Sequence, residues 1–287
     1  MNIVGDGPVS RRLVVNMMLA ATAAGVGGVP LRRALAAQPD GAAVEAAVIE
    51  ELVTANRILA ELEVVDAFGH ISRRHPHRPG HFLMSRARAP GLIEPADIMT
   101  FDAQGVPVDA GDRKPYLERF IHAAIYAARA DVHSVVHDHS EGILPFTVSS
   151  EPLRATSHGG GAFGAAVPVW DIRTRFGDRT NMLVSNLDIG RDLAKTLGGG
   201  AAVLMRGHGA VLAAPSIRVA TMLAHALERQ ARVQAAAKQL GGVTYLSPGE
   251  IERTAAILDP ATPGDAIGRT WEYWCKKVGR PFVAAGF

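Results

Sequence analysis

His137 and His139 stand two positions apart, at the end of the apolar run 132–136, and His208 follows a second apolar run, 201–205, in the turn Arg206-Gly207-His208-Gly209. Side chains alternate faces along an extended chain, so His137 and His139 point the same way. Two imidazoles at one strand end and a third at a neighbouring strand end make three legs of a metal site. Three nitrogen ligands leave coordination positions open for water or substrate, which is a catalytic rather than a structural arrangement. Glu118, one short helix upstream, is the candidate acid and base. In the first turn of a helix, the dipole and a nearby dication would hold it ionised. Substrate arriving at the site would exclude water and raise its proton affinity into a working range. The alternative role on spacing alone is a capping carboxylate.

The neighbours read differently. Asp138 faces away from the histidine pair and suits a supporting or surface role. His122, one turn beyond Glu118, is a supporting or core residue, and His133 a core or interface histidine. Gly207 and Gly209 give the backbone freedom to aim His208 and leave space beside it.

The elements that must position these groups follow from periodicity. Apolar residues at three- and four-residue spacing predict a helix over 41–63. Residues 68–73 and 81–84 read as a hairpin around a Pro/Gly turn, and 98–101 as another strand. A helix is expected over 116–129, a buried strand over 132–136, a short helix over 189–197, and strands over 201–205 and 210–213. Ser216 caps a long helix through Leu240, with Gly241 as its stop. Ser247-Pro248-Gly249-Glu250 is a capping box opening a further helix. Interleaved helices and strands, several strands joined by tight turns, predict an α/β fold with a mixed sheet covered by helices.

Composition excludes several classes. The 287 residues are 48% apolar and 20% charged with a formal net charge of +2, so nothing points to nucleic acid. The single cysteine, Cys275, excludes an intrachain disulfide and a thiolate-rich metal site; beside Trp271 and Trp274 it reads as a packing residue. At the N-terminus, Ser10-Arg11-Arg12-Leu13-Val14 precedes a mild, Ala/Gly-rich apolar stretch, and Ala34-Leu35-Ala36 offers small residues at signal-peptidase spacing. Residues 1–36 are therefore expected to be a twin-arginine export signal and 37–287 one domain. The protein would then be periplasmic or secreted, and cytoplasmic if the segment is not a working signal. The stretch is too weakly apolar for a stable membrane span.

The run from Glu118-Arg119-Phe120-Ile121-His122 into Val136-His137-Asp138-His139-Ser140, together with Met205-Arg206-Gly207-His208-Gly209-Ala210, resembles the core motifs of the class II aldolase/adducin family. The resemblance spans residues 44–258. It implies a three-layer α/β/α fold with a mixed central sheet. It also implies one divalent metal on His137, His139 and His208, Glu118 in the acid/base position, and a homotetramer with interfacial active sites. Zinc or manganese is the expected ion, with iron as an alternative.

Departures from the family pattern direct the substrate expectation. Sugar-phosphate aldolases of the family cradle phosphate with hydroxyl- and amide-bearing loops. The corresponding segments here are Gly69-His70-Ile71-Ser72, Met84-Ser85-Arg86-Ala87-Arg88 and Pro115-Tyr116-Leu117-Glu118. Guanidinium groups bind planar carboxylates, which points from a phosphosugar to a small organic acid. The pattern is similar to a subgroup that includes metal-dependent decarboxylases of hydroxylated aromatic dicarboxylates. That similarity implies a lyase that decarboxylates a hydroxylated aromatic acid through a metal-stabilised enolate or phenolate. His70 would join Glu118 in catalysis, and Arg86, Ser72 and His158 would bind substrate. Arg86 has a surface or interface role as its alternative, and Ser72 a bond to a neighbouring loop. Retro-aldol cleavage of a hydroxy-keto acid and non-heme iron oxygenation are the alternative reactions. A non-enzymatic adducin-like binding role is disfavoured by the retained histidines.

Overall fold

Successive side chains along strands buried on both faces divide the interior into two cores, one on each side of a single sheet, and this division decides which residues reach the site. The computed structural model describes residues 41–256 and 264–282. The expected export segment, 1–36, lies outside the described residues. The strands are β1 (His70–Arg74), β2 (Phe82–Ser85), β3 (Ile98–Phe101), β4 (Ser134–Asp138), β5 (Val169–Trp170), β6 (Ala202–Met205) and β7 (Gly209–Ala214). They run in the order β3-β2-β1-β4-β7-β6-β5. All neighbouring pairs are antiparallel except β5 with β6, so the sheet is mixed, as expected.

The described helices are α1 (Gly41–Glu61), α2 (Arg119–Ala128), α3 (Leu144–Val148), α4 (Arg173–Phe176), α5 (Leu187–Leu197), α6 (Ile217–Gln239), α7 (Pro248–Ala255) and α8 (Ala266–Lys277). Ile71, Leu83, Val136, Leu204 and Leu212 pack with residues of α1, α6 and α8. Met84, Val135, Val203, Met205 and Val211 pack on the opposite face with residues of α2 and α5. Three layers result because each strand alternates its apolar side chains between two helical covers. Cys275 is buried with Trp271 and Trp274 in the first core, the packing role expected of it. Among the described residues no helix is long and apolar enough to cross a membrane.

Local signals place most boundaries. The Ser216 side chain accepts the Val219 N–H at the start of α6, and Ser247 and Glu250 close a reciprocal capping box on α7. Two boundaries near the site differ from expectation. The helix expected over 116–129 begins at Arg119: Pro115 is bridged to Arg86, and residues 117–118 form a turn that leads into the helix. Glu118 therefore occupies the N-cap, with φ −86° and ψ 17°, instead of a position inside the first turn. The strand expected over 132–136 is displaced to Ser134–Asp138, since Val132 is still tied by its N–H to the Arg129 carbonyl. His137 is thus a paired strand residue, opposite Val211 on β7 and His70 on β1.

Candidate metal centre and catalytic pocket

Alternation puts His137 on the α2 and α5 face of the sheet, with the β6–β7 turn carrying His208 beside it. His139 lies just past the end of β4. Its Nε2 is 3.0 Å from the Nε2 of His137 and 3.0 Å from the Nε2 of His208. The far nitrogens of two rings are committed elsewhere: His137 Nδ1 donates to the Ala210 carbonyl at 2.9 Å, and His208 Nδ1 to the Met182 carbonyl at 3.0 Å. A carbonyl only accepts, so these bonds fix the proton on Nδ1 and leave an Nε2 lone pair directed inward. Lone pairs at 3.0 Å repel unless a cation lies among them. One proton relieves one pair, whereas one metal ion engages all three nitrogens. The donor set therefore fits a divalent metal.

Backbone geometry around His208 serves this arrangement. Gly207 turns with φ +64°, and a Cβ at Gly209 would stand 2.0 Å from the Asp138 carbonyl oxygen, so only glycine lets β7 approach β4 here. Met182, a non-glycine residue at φ 64°, presents the carbonyl that orients His208. Such a conformation costs on the order of 1 kcal/mol and persists where the surroundings hold it.

Glu118 completes the cluster. Its Oε2 is 3.3 Å from His137 Nε2 and 3.4 Å from His208 Nε2, and its Oε1 accepts the Val184 backbone N–H at 2.9 Å. Its ligand atoms and those of the histidines all lie within 4.8 Å of one another. Burial pushes the carboxyl up, but His137 and His208 outweigh that and hold it well below the usual carboxylate range. The same contact works on His137: burial lowers it, and the charge and hydrogen bond of Glu118, with the Ala210 carbonyl and the Asp138 charge, together raise it above the ordinary imidazole value. The carboxylate is ionised here through the site itself and not through a cap on its own helix, where no side-chain bond forms.

His70 lies beside this cluster, its ring 5.2 Å from that of His137 and 4.6 Å from that of Tyr116. Its Nδ1 meets His122 Nε2 at 2.7 Å, and His122 Nδ1 meets Ser72 Oγ at 2.6 Å. Burial, with His122 and His137 nearby, lowers His70 well below the ordinary imidazole range, and burial lowers His122 to about 3. Both rings are neutral. Ser72 is fully buried beneath His122 and also bonds the Tyr126 hydroxyl at 2.7 Å. Its hydroxyl is thus engaged by two residues of α2, where the sequence suggested a substrate contact or a bond to a neighbouring loop.

Other expectations fare unevenly. Arg86 is engaged by Asp97 at 2.5 Å, and Arg88 bonds the other oxygen of the same carboxylate at 2.7 Å. Arg86 Nε is thus committed, although its side chain keeps about a third of its surface exposed (35%). His158 lies on the turn His158–Phe163 and lines a cavity of about 460 Å³ with Met222, His225 and Trp274, away from the histidine cluster. Asp138 is buried, not at the surface, and accepts the Ser140 N–H and hydroxyl. His133 is exposed, 3.4 Å from Arg73, which removes the core role and leaves the interface one. Tyr116, Tyr126 and the Met182 and Val184 backbone were not legible as site groups, since their roles depend on chain folded in from distant positions.

The chain matches the family model described as the class II aldolase and adducin N-terminal domain over residues 50–235. It is 32% identical over 253 residues to the decarboxylase tropJ of Talaromyces stipitatus, covering 80% of this chain and 93% of that protein. It is 26% identical to a 3,4-dihydroxyphthalate decarboxylase of Terrabacter sp., covering 78% of this chain and 93% of that one. Among solved structures, an aldolase II superfamily protein from Pseudomonas syringae superposes with a TM-score of 0.68 at 24% identity, over 82% of this chain and 92% of the other.

Proposed function

The chain belongs to the class II aldolase and adducin family and is a carbon–carbon lyase, and from that premise we propose that it decarboxylates a hydroxylated aromatic carboxylic acid with the help of one divalent metal ion. The observation that carries the reading is the convergence of three Nε2 atoms with the Glu118 carboxylate, on a chain similar along most of its length to decarboxylases. His137, His139 and His208 would hold a divalent ion, which would supply a Lewis acid for the electrons of the breaking carbon–carbon bond. Zinc or manganese suits a donor set of imidazoles with positions left for solvent, and iron is the alternative.

The residues then divide the work. Decarboxylation exchanges a carboxylate for a proton: carbon dioxide leaves with the bond broken, the ring carbon keeps the electron pair, and a proton is added there. Glu118, ionised before substrate arrives, takes up a proton as bound substrate excludes water and passes it from Oε2 to that carbon, while Oε1 stays bound to Val184. Solvent is the source of that proton. His70 contacts the substrate carboxylate or ring hydroxyl. The part of Arg86 not engaged by Asp97 adds positive charge nearby.

Exposed apolar side chains flank the site: Phe68 is 63% exposed and its ring is 6.3 Å from that of His139, Leu117 is 48% exposed, and Val148 is 66% exposed. They support an assembly in which another copy covers the mouth, the homotetramer with interfacial sites. We also propose export by the twin-arginine route. Its test is fractionation of cells expressing the full chain, with Arg11→Lys and Arg12→Lys together expected to retain it in the cytoplasm. The lyase reading is tested by carbon dioxide release from hydroxylated aromatic acids by metal-loaded protein. Release that disappears with chelator supports it, and aldehyde product in place of carbon dioxide overturns it.

A further inference from the structure

We infer that Tyr126, Ser72 and His122 form a one-directional hydrogen-bond chain that fixes His70 in the tautomer bearing its proton on Nε2, making it a hydrogen-bond donor and not a base in the cleft. The inference deepens the proposed function, resting on that reading only for the identity of what His70 meets.

The direction follows from counting protons. The Tyr126 hydroxyl has two acceptors in reach, Ser72 Oγ at 2.7 Å and the His133 carbonyl at 3.4 Å. The shorter bond dominates, because O–H···O bonds are strong near about 2.7–2.8 Å and weak beyond that range. Ser72, having accepted, places its own single proton on the line to His122 Nδ1 at 2.6 Å. A neutral imidazole carries one proton, so His122 holds it on Nε2 and donates to His70 Nδ1 at 2.7 Å. The one proton left to His70 is then on Nε2. That nitrogen has no hydrogen-bond partner among the described residues, on a ring packed between Tyr116 and His137. Reversing the chain would require Tyr126 to spend its proton on the 3.4 Å contact.

The chain has a structural origin. His70 and Ser72 are two apart on β1 and share the sheet face covered by α2, while His122 and Tyr126 are four apart on α2 and share its inner face. Two matched periodicities dock four polar groups in a line inside an apolar core of Phe82, Ile121 and Ile125. Burial keeps Tyr126 protonated by raising its hydroxyl well above the ordinary range. Such a network is stable only when every member is satisfied. Ser72, His122 and Tyr126 are positioning residues, and His70 presents the donor. Its complement on a substrate is an oxygen anion, a carboxylate or an ionised phenol.

The test reads the tautomer directly. Full-length, zinc-loaded protein labelled with ¹⁵N-histidine is examined by long-range ¹H–¹⁵N correlation, with His70 assigned by its loss in His70→Gln. The expected result is a proton on Nε2 of both His70 and His122. A proton on His70 Nδ1 overturns the inference. In Ser72→Ala the His70 pattern is expected to become mixed, and Ser72→Thr to restore it. An unchanged pattern in folded Ser72→Ala shows that the hydroxyl does not set the tautomer and also overturns it. These readouts need no turnover, so a failed decarboxylation assay leaves them standing.

Discussion

Glu118 is anchored by Val184, sixty-six positions along the chain: one carboxylate oxygen accepts the Val184 backbone N–H at 2.9 Å, which leaves the other 3.3 Å from His137 Nε2. The anchor separates the two oxygens by task. Substitution by glutamine keeps the side chain's shape and an acceptor for Val184, and removes the negative charge and the capacity to hold a proton. Glu118→Gln is therefore expected to fold and bind metal as the parent does, while kcat falls by about 10²–10⁴-fold, the usual contribution of a positioned acid. Turnover measured beside metal content checks this; full turnover with metal retained contradicts the role.

Removing one of the converging imidazoles is expected to break the proposed metal site. His208→Ala is expected to be purified with much less than one divalent ion per chain. Its Nδ1 bond to the Met182 carbonyl is lost as well, freeing a residue held at φ 64°. Elemental analysis of protein prepared without added metal or chelator decides the matter, and a variant retaining the full parental metal content contradicts the ligand set.

Acid sensitivity is expected at Asp97. Burial pushes its carboxyl up, but bonds from Arg86, the Glu94 backbone N–H and Arg88 pull it down from 3.8 to about 2. A depressed folded value contributes stability above the unfolded value that is lost as pH falls through the folded one. This contribution should disappear as the pH drops from about 4 to about 2. Asp97→Asn should melt at a lower temperature than the parent at pH 5 and above, with the difference shrinking toward pH 2. A constant difference in Tm across that range contradicts the account.

Gly209 has no room for a side chain, since a Cβ there would stand 2.0 Å from the Asp138 carbonyl oxygen. Gly209→Ala is expected to destabilise the fold by roughly 1–3 kcal/mol or more, as overpacking does, and to displace His208 next to it. Urea unfolding and metal content should fall together. Unchanged stability would show that β4 and β7 can separate freely.

Much of this was legible in the sequence because its signals are local. Alternation gave His137 and His139 a common side, and capping residues Ser216 and Ser247 marked the helix starts that the structure shows. Glycine-flanked His208 stood out as a turn ligand. The missed features are non-local. Ser72 looked like a substrate contact because its distance along the chain from His122 hides their 2.6 Å bond. Arg86 read as a substrate or surface arginine because its partner Asp97, eleven positions along, carries no local signal of the pair. The turn at 117–118 that delays the helix to Arg119 follows Pro115, which is bridged to Arg86, a pairing that no local pattern encodes. The helix α8 carries its apolar residues in too short a stretch to announce itself.

The measurement that tests the central claim most directly is carbon dioxide release from 3,4-dihydroxyphthalate and related hydroxylated aromatic acids by zinc- or manganese-loaded protein, run beside chelated protein and His137→Ala. The account predicts release by the loaded protein with at least one of these acids, at least a hundredfold above both controls (~2.7 kcal/mol). Equal release from His137→Ala, or loaded protein that cleaves such acids only to an aldehyde, would contradict it.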